Sequence, residues 1–304
     1  MTNTYRFTDL VEQGHDQNFV RAQIGAGVFD RVRHGGYAVE LSQDRPEDRH
    51  FAMIKTTTPL LNDDSVISHS SAALMWGLPV PRRLLAKVHV TWDRASGGHL
   101  RRWTHTHACP LTQAELSEIG GVRVTSIART AVDTALLCQN HEALQIMDAA
   151  WRALGSADEL AAVCDAAFRR PGIRTARWAL EHADPSSESA GESLSRYWMI
   201  TNGVPMPRLQ VDIRDENGHF VARPDFAWDD CRVLGEFDGR SKYAVDGADG
   251  SAADVVMREK RRENQLRALG WWVYRWTWND LADGRRFAAK LQQFLRSNPL
   301  RRGG

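Results

Sequence analysis

Between Arg208 and Asp238 the chain carries three β-rich runs separated by two short turn signals, a pattern that ties down both the pairing and the facing of every side chain in the stretch. Asn217-Gly218 lies between the first two runs, and this dipeptide suits a type I′ turn because both central residues there need positive φ. Such a turn pairs Glu216 with His219, and hence Gln210 with Asp225. A second two-residue loop at Asp229-Asp230 pairs Trp228 with Cys231, Asp225 with Leu234 and Arg223 with Glu236. Side chains alternate with period two and directly paired residues share a face. Gln210, Asp225, Glu236 and Asp238 then fall on one side, while Leu209, Val211, Ile213, Ala222, Pro224, Phe226, Trp228, Val233, Gly235 and Phe237 fall on the other. A slip of one residue in either hairpin would scatter that apolar set.

In this register Asp225 and Glu236 are diagonal neighbours with Cβ atoms about 7 Å apart, and Asp238 lies one pleat further along. Three carboxylates on one side of a sheet repel one another unless a cation lies between them. Oxygen-only ligands that leave positions to water and phosphate suit Mg²⁺ or Mn²⁺ better than zinc. A solvated acidic face is the plainer reading of any two carboxylates in a strand. The convergence of three with Gln210, in a sheet flanked by helices, favours the metal site.

A chain of 304 residues, 42% hydrophobic, is long enough for two or three domains with cores of their own. Asp184-Pro185 is the sharpest break, since the residue before proline is pushed out of the helical region. The expectation is an α/β, or α+β, multidomain protein divided at residues 1–43, 44–184 and 185–304. The first part reads as helices at Phe7–Gln13 and Asn18–Ala26 followed by a two-stranded ribbon, the order of a winged helix. Residues 44–64 show little periodicity. The middle part is α-rich with a small sheet, its strands at Val88–Trp92 and Arg101–His107 and its helices running from Ser126 to Ala183. The last part reads α-β-β-β-α-β plus a final helix.

Other signals bound the class. Cys109, Cys138, Cys164 and Cys231 are too scattered for a zinc ribbon or a disulfide scaffold. No run of about eighteen apolar residues and no secretory signal pattern occurs, so a cytoplasmic protein without a membrane partner is expected. The formal net charge of +1 leaves nucleic-acid binding to local clusters. His105, His107 and Cys109 alternate along a strand, but neighbouring pleat positions rarely give tetrahedral geometry and no fourth ligand stands nearby. Arg129 and Asp133, four residues apart on a helix, read as a surface pair worth about 0.3–0.5 kcal/mol. Trp271, Trp272, Trp276 and Trp278 read as packing residues of the last strand.

Arg223-Pro-Asp225, Gly235-Glu-Phe-Asp-Gly239, Glu259-Lys-Arg-Arg-Glu-Asn-Gln-Leu-Arg-Ala-Leu-Gly270 and Val273-Tyr-Arg-Trp-Thr-Trp278, in this order, resemble the PD-(D/E)XK nuclease superfamily, and within it the branch similar to very-short-patch-repair endonucleases. The resemblance spans about residues 186–298. It implies that Asp225 and Glu236 hold a metal ion that activates water for phosphodiester hydrolysis, and that Glu192 on the preceding helix assists. Glu192 is also the third helical residue of a capping box that begins at Ser189, so a purely local role is equally open. The superfamily's lysine slot holds Asp238, the form usual in this branch. A basic group then comes from Lys242, Lys260 or Arg262, or is dispensable. Lys260 and Arg262 belong to the basic run Arg258-Glu-Lys-Arg-Arg262, whose alternatives are a solvated surface and phosphate contact. Arg262 shares a helical face with Glu259, Leu266 and Leu269 and is expected to point at the sheet.

Val32-Arg-His-Gly-Gly-Tyr37, Ile67-Ser-His-Ser-Ser-Ala-Ala-Leu-Met-Trp-Gly-Leu-Pro79 and Val124-Thr-Ser-Ile-Ala-Arg-Thr-Ala-Val-Asp133 resemble the N-terminal region of AbiEi-like antitoxins of type IV toxin–antitoxin systems. That resemblance implies DNA binding by the first forty residues, and a cognate toxin or other protein as a further partner. Arg21 and Gln23 on the candidate recognition helix, and Arg31 and Arg33 on one face of the wing, are the groups that would meet phosphate and groove, unless that face docks within the molecule. Two functions follow. One is a metal-dependent DNA endonuclease, a hydrolase targeted by its winged helix; the other is an antitoxin-like regulator whose nuclease-type domain does not cut.

Overall fold

A computed structural model describes residues 3–42, 44–239 and 252–298, and for 252–256 and 258 the backbone only. It is a mixed α and β chain that divides into two compact units, Met1–Ala183 and Asp184–Gly304. No helix among the described residues is long and apolar enough to cross a membrane.

The first unit begins with β1 (Thr4–Arg6), α1 (Phe7–Glu12), α2 (Gln17–Gly25), β2 (Asp30–Arg33) and β3 (Gly36–Ala38). The ribbon anticipated from sequence gains β1 as a third strand, in the order β1-β3-β2. Next comes α3 (Pro46–Thr57), which opens with proline at its first position and Glu47 and Asp48 in its first turn, all favourable at a helix N-terminus. The sequence hid this helix because it buries His50, Thr56 and Thr57 alongside Ala52, Met53 and Ile54, which blurs the apolar stripe. Its apolar residues join Val32 and Ala38 to Ile67, Val88, Val90 and Val124 in one core, so residues on either side of position 43 share packing.

Then follow β4 (Ser65–Ile67), α4 (His69–Met75), β5 (Val88–Trp92), β6 (His99–Leu100), β7 (Thr104–Ala108), β8 (Leu116–Ile119) and β9 (Val122–Thr125). These strands form one six-stranded sheet, β6-β7-β5-β4-β9-β8, with β5 parallel to β7. Helices α5 (Ile127–Ala135), α6 (Asn140–Leu154), α7 (Asp158–Ala166) and α8 (Ile173–His182) complete the unit around a core rich in alanine, including Ala128, Ala131, Ala135, Ala143 and Ala176. The four cysteines are free thiols. Arg129 and Asp133 are a buried pair and not the surface pair anticipated: Arg129 also meets Glu115 at 2.7 Å, and Asp133 also binds Arg170.

The second unit runs α9 (Ala190–Thr201), β10 (Arg208–Leu209), β11 (Ile213–Arg214), β12 (Phe220–Ala222), β13 (Phe226–Trp228), β14 (Val233–Asp238), α10 (Ala252–Ala268), β15 (Trp272–Thr277), α11 (Trp278–Leu281) and α12 (Gly284–Ser297). Its main sheet has the order β10-β13-β14-β15, with β14 and β15 parallel. The pairing of Arg208 with Ala227 and Leu209 with Phe226 continues to Gln210 opposite Asp225, as the sequence predicts.

Both turns differ in detail. Gly218 has φ +81 but Asn217 does not have positive φ, so the first turn is not type I′. Asp215 closes a longer loop by accepting the His219 amide, and a bulge between Ile213 and Arg214 absorbs the extra residue. The second turn is a helical turn at Asp229–Cys231 closed by Arg232 at φ +54, which pairs Trp228 with Val233 in place of Cys231. That shift of two residues preserves facing and brings Asp225 level with Glu236.

The single apolar face anticipated is in fact two. Phe226, Trp228, Val233 and Trp276 pack with α9 and α12, whereas Ile213, Ala222, Ala227 and Leu234 pack with Leu266 of α10. The facing reverses because Gln210 adopts φ +51 and Arg223-Pro224-Asp225 interrupts the partner strand. Of the four tryptophans near the last strand, Trp271 and Trp276 are buried and Trp272 and Trp278 are exposed.

At the start of α9, a Cβ on Gly191 would stand 1.9 Å from Phe237 Cε1, so only glycine lets this helix approach β14 so closely. Gly191→Ala is expected to lower the urea midpoint of the full chain by the equivalent of about 1–3 kcal/mol, the usual cost of overpacking. A midpoint equal to wild type would contradict this close approach.

Candidate active site

Glu192 follows Gly191 and is 6% exposed. Ser189 caps α9 by accepting the Glu192 amide at 3.2 Å, and its hydroxyl donates to Glu192 Oε1 at 2.6 Å. The Glu188 amide donates to Glu192 Oε2 at 2.9 Å. The same Oε2 also accepts Gln210 Nε2 at 3.0 Å, so the carboxylate is both a helix cap and a member of the cluster beyond it.

Gln210 holds that cluster together. Its amide nitrogen donates to the Asp225 carbonyl at 3.1 Å, and its side-chain Nε2 donates to Asp225 Oδ1 at 3.1 Å as well as to Glu192. Two carboxylate acceptors at one amide end assign that end as nitrogen. The left-handed backbone of Gln210 is uncommon for a residue with a Cβ, and such conformations concentrate at functional sites. Asp225 Oδ2 accepts the Phe237 amide across the strand at 2.7 Å. Burial, and then the negative charges of Glu192 and Glu236, push the Asp225 carboxyl up to about 6 against the opposing pull of the Phe237 amide and Gln210.

Glu236, half-buried, is gripped by two arginines. Arg275, its register partner on β15, donates Nε to Glu236 Oε2 at 2.8 Å, and Arg262 of α10 donates to the same oxygen at 3.1 Å. Arg262 Nη2 also stands 2.9 Å from Glu236 Oε1, yet at an angle that makes no hydrogen bond, so that oxygen is buried with a lone pair to spare. Both arginines also bind Glu259. Arg262 thus points at the sheet as its helical position predicts. Arg275 was missed; pairing β14 with β15 in parallel would have placed it opposite Glu236.

The remaining candidates are dispersed. Asp238 ends β14 on the Glu236 side, exposed and level with Thr277. Among the described residues the acidic side chains do not gather three oxygens within 4.8 Å of one another, so the expected convergence of Asp225, Glu236 and Asp238 is looser than the pleat alone suggests. Lys260 is exposed on α10. Lys242 and the side chain of Arg258 lie outside the described residues. In the first unit Arg21 is exposed and Gln23 half-buried on α2. Arg31 is exposed, but Arg33 turns inward to donate to the Thr56 carbonyl at 2.7 Å. A register shift between Arg31 and Arg33 gives them different surroundings, contrary to the shared face expected.

No family model matches the chain. It is 36% identical over 276 residues, 90% of its own length and 94% of theirs, to the uncharacterized proteins MT2308 and Rv2248 from two strains of Mycobacterium tuberculosis. The chain belongs to their family. The crystal structure of RV2827C protein from Mycobacterium tuberculosis aligns with a TM-score of 0.38 and 14% identity, covering 70% of this chain and 83% of that one.

In the metal-free protein, a carboxyl raised from 3.8 to about 6 makes its largest contribution to stability below about pH 4, and that contribution is lost as the pH rises through 6. Asp225→Asn keeps an acceptor for the Phe237 amide and removes the charge. It is expected to stabilise the metal-free chain at pH 7.5, by on the order of 2 kcal/mol after discounting for solvent screening, and to give no gain at pH 4. Equal destabilisation at both pH values in thermal unfolding would show that the charge is not strained.

Proposed function

We propose that this protein is a metal-dependent DNA endonuclease, with Asp225 and Glu236 of a PD-(D/E)XK-type unit as the metal-holding pair and the N-terminal elements as a winged-helix targeting module. The observation that carries the reading is the part-buried carboxyl of Asp225, tied to Glu192 by Gln210 and level with Glu236 across the strand pair although the charges disfavour one another. Strongly shifted carboxyls in such clusters are a recurrent feature of functional sites.

The residues fit a hard divalent cation such as Mg²⁺ or Mn²⁺. Asp225 gains from a neighbouring positive charge, and Glu236 Oε1 has no hydrogen bond to give up. A bound ion would lower the pKa of water and offset phosphate charge. Gln210, anchored on Glu192, holds Asp225 in place; Arg262 and Arg275, paired with Glu236, would supply cationic charge beside a bound phosphate in place of the superfamily's lysine. Asp238, on the same side, would ligate the ion or accept a proton from the attacking water. Arg21 and Arg31 are the exposed cations of the targeting module, which supports phosphate contact there; Arg33 is committed to α3.

One observation favours the second reading, an antitoxin-like DNA-binding regulator with a non-cleaving domain and a toxin as partner. Glu236 is already neutralised by Arg262 and Arg275, which can serve as a substitute for a cation.

Cleavage of plasmid DNA with Mg²⁺, Mn²⁺ and EDTA separates the two. The endonuclease reading expects metal-dependent cutting by the wild type, reduced by at least about 100-fold in Asp225→Ala and Glu236→Ala, with DNA affinity nearly unchanged. Asp238→Lys lowers activity if Asp238 is a ligand and preserves or raises it if Asp238 only fills the lysine slot. A folded wild type that binds DNA and cuts nothing with either metal would overturn the endonuclease reading and favour the regulator.

A further inference from the structure

A second cluster lies in the first unit and shares no residue with the acidic site. His69 at the start of α4, His89 of β5 and His107 of β7 come from three elements, and one ligand nitrogen of each lies within 4.8 Å of the others. His89 Nδ1 and His107 Nε2 are 3.0 Å apart, and the rings of His69 and His107 stack with centroids 3.6 Å apart. Tetrahedral Zn–N bonds of about 2.0–2.1 Å set ligand nitrogens roughly 3.3 Å apart. His89 and His107 already stand near that spacing; binding replaces the hydrogen bond between them and turns the His69 ring out of its stack so that its nitrogen converges with theirs.

We propose that His69, His89 and His107 form a three-histidine site for a d-block divalent cation of the Zn²⁺ class, with the fourth position left to water. Imidazole nitrogen is the ligand that such ions share, and three protein ligands with one open position is an established arrangement for zinc.

The surroundings are built for this purpose. His69 is 1% exposed and His89 4%. Burial of the imidazoles disfavours their charged form and leaves each the neutral ring that offers a lone pair to an ion. His69 Nδ1 lies 2.9 Å from Ser68 Oγ and 4.0 Å from Asp133 Oδ2, a carboxylate placed as outer support for a ligating histidine. The Ser71 hydroxyl accepts the His89 amide at 2.8 Å and also meets His50 Nε2. Asp133 and Glu115 offset Arg129 and Arg170, so an incoming cation meets nearly balanced charge. His69 holds φ +48, a left-handed backbone that non-glycine residues rarely adopt, and this turns the residue from the end of β4 into the cluster. His105 stands beside His107 with ring centroids 4.0 Å apart.

The test uses the untagged full chain, stripped with a chelator and titrated with Zn²⁺ and separately with Co²⁺. Expected are one equivalent of tight binding per chain, a visible Co²⁺ spectrum of a low-coordinate nitrogen site, and a rise in thermal midpoint with Zn²⁺. His107→Ala, at the half-buried position, is expected to weaken binding by more than about 100-fold, beyond the loss typical of an outer-support residue. His219→Ala, an exposed histidine of the second unit, should leave binding unchanged. If His107→Ala does not fold, His89→Gln and the wild-type thermal shift decide. Absence of stoichiometric binding by the wild type, or unchanged binding in a folded His107→Ala or His89→Gln, would overturn the proposal.

Discussion

The Asp225 carboxylate accepts a hydrogen bond from the backbone amide of Phe237 on the neighbouring strand, and this one contact organises the acidic site. It fixes the end of β13 against β14 at the point where regular pairing stops, because Pro224 cannot donate and Gln210 opposite has turned into a left-handed conformation. With Asp225 held there, the Gln210 amide can reach both Asp225 and Glu192, and Glu236 lies level across the strand pair. Gly191 removes the side chain that would keep α9 away. Three acidic groups are thus assembled by one backbone amide, one side-chain amide and one missing methyl group.

Such an assembly is costly, and the protein divides the cost unevenly. Glu192 is relieved by the helix N-terminus and the Ser189 hydroxyl, and Glu236 by two arginines. Among the described residues no cation offsets the burial of Asp225, and it carries the strain as a raised pKa. A site whose charges were all balanced within the chain would be a structural network. The imbalance at one carboxyl, beside a glutamate oxygen without a hydrogen bond, is what a cation site offers. Its chemistry differs from that of the first unit: hard oxygen donors in one place, neutral imidazoles in the other, so the two suit different ions.

Much of the second unit was legible because strand alternation depends on parity. The turn at Asp229–Cys231 proved two residues longer than expected, yet an even shift leaves Asp225 and Glu236 on one side. What the alternation could not reveal was the reversal at Gln210, which sends Ile213 and Ala222 to the α10 side, because positive φ at a glutamine has no sequence signal. Arg275 was hidden for a related reason: its role depends on a parallel pairing across α10, which is not local in sequence. In the first unit α3 was missed because its buried side chains include His50 and two threonines, and hydrophobic periodicity cannot see a polar core. The histidines show the same limit. Alternation along β7 suggested His105, His107 and Cys109, whereas the fold selects one of those and joins it to His69 and His89 from distant segments.

In the function proposed here Asp225 sits in a strained acidic cluster that receives a divalent cation, and its carboxyl titration reports on this directly. In the full chain, carbon-13 NMR of the Asp225 side chain should show a midpoint near 6 without metal, well above an ordinary aspartate. Addition of Mg²⁺ should pull that midpoint below about 4, as expected when a cation favours the ionised form. A metal-free midpoint below 4, or one near 6 that saturating Mg²⁺ leaves unmoved, would contradict the account.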